Sequence, residues 1–284
     1  MSLKRRQDRY FLFLLPSLIG VVVFVLAPFL LTFLWSFMDS QRESWVALAN
    51  YREVLENSAM RLALTNSGRF IIVAIPLQLS LSLLLAILLK HAGSLSVFFE
   101  FIFLLPLVIP VASLVMLGQV FFAKQGLLNS VLVQWGYQPQ NWLNSSLTFW
   151  VLVIFYLWRN LGMTIVLWRV ALNKLDPFLD EAAQVAGANT YQRFYFVILP
   201  QLLPAFFIIT VISVLNTFKV FREAFLLAGH YPHESIYMLQ HILNNWFMAL
   251  DMQKLSAAAV LLALFLFALI YLLKCQLRRS PYAN

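Results

Sequence analysis

The chain has 284 residues, of which 62% are hydrophobic and 11% charged, with a formal net charge of +8. A soluble domain averages roughly 45–50% apolar and about 25% charged residues, and a sphere of this size cannot hide so much apolar surface from water. Lipid is therefore the solvent for most of the chain, which excludes a soluble enzyme, a disordered chain and a nucleic-acid module. The positive charge reports membrane topology and contact with anionic lipid instead. With one cysteine, Cys275, there is no intrachain disulfide and no thiolate metal cluster.

About 20 helical residues cross a hydrocarbon core. Six apolar stretches qualify, near Phe11–Phe37, Phe70–Leu89, Phe98–Phe122, Leu147–Trp168, Pro200–Phe218 and Leu255–Leu273. Lys4, Arg5, Arg6 and Arg9 precede the first. It is too long for a signal-peptide core and no small-residue cleavage site follows it, so it reads as a retained span. Pro76 in span two, and Pro106 and Pro110 in span three, each remove a backbone donor and bend a helix. With the N-terminus inside, the inner segments hold Lys and Arg at about twice the density of the outer ones, and Lys274, Arg278 and Arg279 mark the second tail as inner too. The expected fold is an all-α integral membrane protein, a single membrane domain over residues 1–284 with six transmembrane helices and both termini cytoplasmic. No sequence repeat relates its halves.

The inner segment Arg169–Leu199 is long for a connection, and such loops carry structure or function. Asp176 is a good N-cap, Pro177 a good first helical residue, and Gly187 a left-handed stop after a short helix over Phe178–Ala186. Asn189 or Thr190 caps a second helix that runs to Leu199, and Pro200 opens span five. A helix of two and a half turns is unstable alone in water. Ala182, Ala183 and Ala186 give it a small-residue face and Glu181 a charge able to meet a basic partner, the design of a docking knob.

The run Glu181-Ala182-Ala183, Gly187 and the later Ile198 to Pro200 resemble the EAA loop of ATP-binding-cassette import permeases. The likeness extends over nearly the whole chain and is greatest to the carbohydrate-uptake branch, the maltose and glycerol-phosphate type permeases. It is carried also by Asn50-Tyr51, Ala63–Asn66, Phe103–Pro110, Gly126–Asn129, Trp158–Gly162 and Phe221–Pro232. Two features depart from that family: Ala186 stands where an acidic residue is usual, and Gly229–Pro232 has fewer glycines. The resemblance implies that residues 169–199 form a cytoplasmic coupling loop whose short helix, between helices 4 and 5, sits in a cleft of a separate ATPase. Asp180, Glu181, Ala182, Ala183, Ala186, Gly187 and Ala188 would then make that contact. It further implies a second permease subunit, commonly different from this one, two cytoplasmic ATPase subunits, an external solute-binding protein and a prokaryotic cytoplasmic membrane. Positions resembling Leu161, Gly162 and Ile165 in span four, and Ser213, Asn216 and Thr217 in span five, border the transport site in maltose-type permeases.

The residues themselves add to this. Arg159 lies near mid-membrane with Asn160 beside it. Such an Arg either reaches helix-end carbonyls or an interface, or lines a cavity or gate. Most of Thr210, Ser213, Asn216 and Thr217 lie on one helical face that serves packing or a polar solute. Hydroxyls and amides suit a sugar because they both donate and accept, and Phe218 or Phe221 could supply a ring for it to stack on. No glycine is followed by lysine, so the chain has no phosphate-binding loop. The expectation is that it binds no cofactor itself and is not an enzyme, and the resemblance implies that ATP and Mg belong to the partner ATPase. His230, His233 and His241 fit no zinc spacing and read as a solvated outer loop. Apart from Glu100, the six stretches hold no Asp, Glu or His, which leaves little for an ion-coupled carrier. The expected function is an importer permease for a sugar, oligosaccharide or polyol; the alternatives are a non-sugar solute in the same superfamily, or the ion-coupled carrier.

Overall fold

Hydrocarbon offers no hydrogen-bond partners, so a chain this apolar must satisfy its backbone within helices. The computed structural model describes residues 14–39 and 41–278 and is helical almost throughout, with a single Met38–Trp45 bridge as the only β pairing among the described residues. Six stretches are long and apolar enough to span a membrane: Leu14–Trp35, Ser58–Lys90, Val111–Gln134, Thr148–Asn173, Leu203–Ala228 and Met252–Cys275. Phe11 to Phe13, Lys4, Arg5, Arg6, Arg9 and Arg279 lie outside the described residues.

In chain order the helices are α1 (Leu14–Trp35), α2 (Ala49–Glu56), α3 (Ser58–Lys90), α4 (Leu95–Val108), α5 (Val111–Phe122), α6 (Leu127–Gln134) and α7 (Thr148–Asn173). They continue as α8 (Pro177–Val185), α9 (residues 190–201), α10 (Leu203–Lys219), α11 (Phe221–Ala228), α12 (Leu239–Met248) and α13 (Met252–Arg278). The stretch expected as one helix over Phe98–Phe122 is two. Ile109 is extended, with ψ 128°, because the residue before a proline is pushed out of the helical region. Glu100 therefore belongs to the short helix α4, and the third span starts beyond Pro110. Pro76, by contrast, leaves α3 unbroken.

Two compact units emerge, one of residues 1–61 and 243–267, the other of residues 62–242 and 268–284. In the first, α1 buries no residue, and its apolar surface suits lipid on every side. The loop after it is knitted by Asn50, whose amide donates to the carbonyls of Ser36 (3.0 Å) and Met38 (2.8 Å), and by Phe37 stacked on Trp45. Lys254 holds Glu53 (2.8 Å) and Asp251 (2.9 Å).

The second unit is built around α7. Phe149, Leu152 and Tyr156 pack with Phe70 of α3 and with Ile236 and Met238 of the segment before α12. Buried polar groups on α7 are matched across helices: Gln78 donates to the Thr164 hydroxyl (2.6 Å), Trp168 to Ser82 (3.0 Å), and the Tyr156 hydroxyl to the Ser213 carbonyl (2.9 Å). Such bonds tie spans together where lipid offers no alternative partner. Gly162 brings α7 onto the backbone of α4: a Cβ there would stand 2.1 Å from the Phe103 carbonyl oxygen. Since backbone cannot swing aside as a side-chain tip can, Gly162→Val should destabilise the unit by on the order of 3 kcal/mol. Thermal unfolding in detergent measures it.

Candidate functional site

Two places concentrate chemistry. The first is the hairpin joining α7 to α10. The Asp176 carboxylate accepts from the Phe178 amide (3.0 Å) and Pro177 opens α8, as the residue types dictate. The helix ends in a Schellman motif: Gly187 takes φ +85°, its amide donates to the Gln184 carbonyl, and the Ala188 amide donates to that of Ala183, both at 3.0 Å. Asn189 then caps α9 in a reciprocal box with Gln192, each side chain accepting from the other's backbone (2.8 and 2.9 Å).

The two helices are clamped by a forked ion pair. Arg193 on α9 donates Nε to one Asp180 oxygen (2.7 Å) and Nη2 to the other. The guanidinium holds the Asp180 carboxyl below the usual carboxylate range, and the carboxylate raises Arg193 in turn. The Asp180 side chain faces back into the hairpin, while Glu181, Ala182 and Ala186 are exposed and Ala183 and Ala188 half-buried. Around them the hairpin bares Phe178, Val185, Tyr191 and Phe196, all at least 70% exposed. On the same helices that reach this end, Arg169 of α7 pairs with Glu100 of α4.

The second place is a cavity of about 230 Å³ lined by Leu107, Arg159, Asn160, Met163, Asn216, Lys219, Val220, Arg222 and Glu223. Arg159 stands 11 residues into α7, about 16 Å along its axis. It faces Glu223 of α11 at 3.7 Å and donates to the Ile109 carbonyl (3.3 Å), an oxygen freed by the break at Pro110. Glu223 is 2% exposed, and its Oε2 has no hydrogen-bond partner. Lys219 donates to the Asn216 amide oxygen (2.9 Å). The fifth span runs to Ala228, so Glu223 is an acid inside a span, which the shorter stretch ending at Phe218 had left out. Its sign, opposite to Arg159, was the available signal, because intramembrane charges pair.

Of the sequence candidates, Arg159, Asn160 and Asn216 meet at this cavity. Gly162 lies against α4, Ile165 is fully buried, and the Thr217 hydroxyl donates to its own helix at the Val214 carbonyl. Ser213 is buried, with a hydroxyl that has no partner. Leu161 and Phe218 are half-buried, and the Phe221 ring is engaged by Phe225 and, edge-on, by His241.

His241 corrects the expectation of a solvated histidine loop. It is 1% exposed on α12, with Nδ1 accepting from the Met238 amide (3.1 Å), because Phe221 and Tyr237 enclose its ring. Burial, with His230 nearby, pushes it down to about 4. An unfolded histidine takes its proton near 6.5, so stability should be intact above that pH and fall as the pH drops toward 4. Melting curves over that window should show the fall, and His241→Phe should flatten it.

Residues 78–279 match the family described as binding-protein-dependent transport system inner membrane component. The chain is 30% identical over 259 residues to the probable ABC transporter permease protein YurN of Bacillus subtilis, covering 87% of this chain and 88% of that one. It is 31% identical over 226 residues to the arabinooligosaccharides transport system permease protein AraP of the same organism, covering 76% and 71%. A crystal structure of a bacterial ABC transporter that imports the acidic polysaccharide alginate has a chain of the same fold, with TM-score 0.85 and 18% identity over 98% of this chain and 97% of that one.

Proposed function

We infer from the family to which this chain belongs, the binding-protein-dependent transport system inner membrane components, that it is the permease subunit of an ATP-driven importer. It forms half of the translocation path for a sugar, oligosaccharide or related polyol, the solute class in the names of relatives such as AraP. The whole chain acts as one permease domain, with both termini cytoplasmic.

The observation that carries this reading is the hairpin between the fourth and fifth spans. A free loop would not hold a helix of nine residues, yet here N-cap, Schellman stop, capping box and Asp180–Arg193 clamp fix it with its apolar surface bared. That is the form of a part that transmits force to a protein outside the membrane. The chain has no phosphate-binding loop of its own. ATP and Mg therefore sit on two separate ATPase subunits, and α8 docks in one of them through Glu181, Ala182, Ala183, Ala186, Gly187 and Ala188, with Asp180 bracing them from inside the hairpin. A second permease subunit closes the path, and an external binding protein delivers the solute. Arg159, Asn160 and Asn216 face that path in this half; Leu161, Gly162, Ile165, Ser213 and Thr217 shape its wall by setting how α7 and α10 pack.

Reconstitution with the partner permease, the ATPases and the binding protein tests the reading. Uptake into proteoliposomes should require ATP on the hairpin side and the binding protein on the other. Uptake driven by a proton gradient without ATP would overturn it.

A further inference from the structure

We propose that the cavity between α7 and α10–α11 selects a solute that carries an anionic group, a carboxylate or a phosphate, on a polyhydroxylated body. The proposal rests on the permease reading above and names the substrate class of that path.

The charges facing the cavity are unequal: Arg159, Lys219 and Arg222 against one carboxylate, Glu223. Glu223 is set against Arg159. Lys219 and Arg222 make hydrogen bonds only to neutral oxygens, the Asn216 amide and the Lys219 carbonyl, and neither has a carboxylate within ion-pair distance among the described residues. Within a low-dielectric wall, an excess of cations concentrates anions and repels cations. A neutral solute gains nothing from that excess, since hydroxyl dipoles are met as well by amides.

Amides point to the rest of the solute: Asn160 and Asn216 line the same cavity. An amide both donates and accepts, as a hydroxyl requires. Amides beside cations that take an anion describe a polyol bearing a negative charge.

The test uses the assembled transporter in proteoliposomes loaded with ATP, and a panel of uronate di- and trisaccharides, their neutral methyl esters, sugar phosphates and neutral saccharides of matched linkage. The expected result is uptake of an anionic member at least about tenfold faster than of its neutral counterpart, and a loss of that ratio by about ten- to a hundredfold in the double variant Lys219→Gln/Arg222→Gln. Whether uronates or phosphates are taken names the anion. Uptake of neutral saccharides alone would overturn this proposal and leave the permease reading standing; ATP-independent uptake, or none of any member, would remove both. Equal loss of anionic and neutral uptake in the double variant would mean a structural role and overturn it. So would a variant defect that disappears when anionic lipids are replaced by zwitterionic ones, since the cations would then hold lipid phosphate.

Discussion

Glu181→Lys and Gly187→Val should each abolish ATP-coupled uptake while leaving the chain inserted in the membrane. Glu181 is exposed on α8 and makes no hydrogen bond or ion pair within the hairpin, so reversing its charge disturbs nothing inside the chain. Its effect falls on what docks there: a reversed charge at the centre of an interface costs on the order of 2 kcal/mol or more, a loss of about thirtyfold or greater in affinity. Gly187 acts through the backbone. Its φ of +85° admits no β-branched residue without strain, though space around it is open. Valine there should undo the Schellman stop and turn α9 away from α8. Membrane fractionation and uptake of labelled solute separate the two readouts. Unchanged uptake in both variants would sink the coupling role.

Removing Glu223 alone should be the most damaging change in the cavity. Arg159 has a side chain 16% exposed, and Glu223→Ala leaves its guanidinium with only the Ile109 carbonyl. A stranded buried charge costs about 3–5 kcal/mol, and the 3.7 Å separation places this case at the lower end. Arg159→Met/Glu223→Met removes both charges and should recover most of the melting temperature, because apolar side chains of similar volume replace a buried pair at little cost. Uptake should stay low in the double variant, since two polar side chains are then missing from the cavity wall. Full recovery of uptake would reduce the pair to a structural tie.

Most of the secondary structure was written in local chemistry. Asp176, Pro177, Gly187 and Asn189 act within a few residues of themselves, and each stands where its type predicts. Pro110 shows the limit: proline always removes a donor, but Pro76 is absorbed by α3 while Pro110 ends α4. The difference lies at Ile109, whose freed carbonyl finds Arg159. The pairing of Arg193 with Asp180 is not legible in the sequence, since a pair that spans a turn depends on how two helices fold back on each other.

Composition and hydropathy, then, suffice to place this chain in a bilayer as a set of spanning helices, because lipid leaves an apolar backbone no other way to satisfy itself. They do not say which way each helix is turned. The spans are apolar over most of their surface, so rotation about the axis is settled by close packing, as at Gly162 against Phe103, and by the few polar groups that must find partners. That rotation is what brings Arg159, Asn216, Lys219 and Glu223 to one cavity and sends Ile165 and Thr217 into the packing between helices.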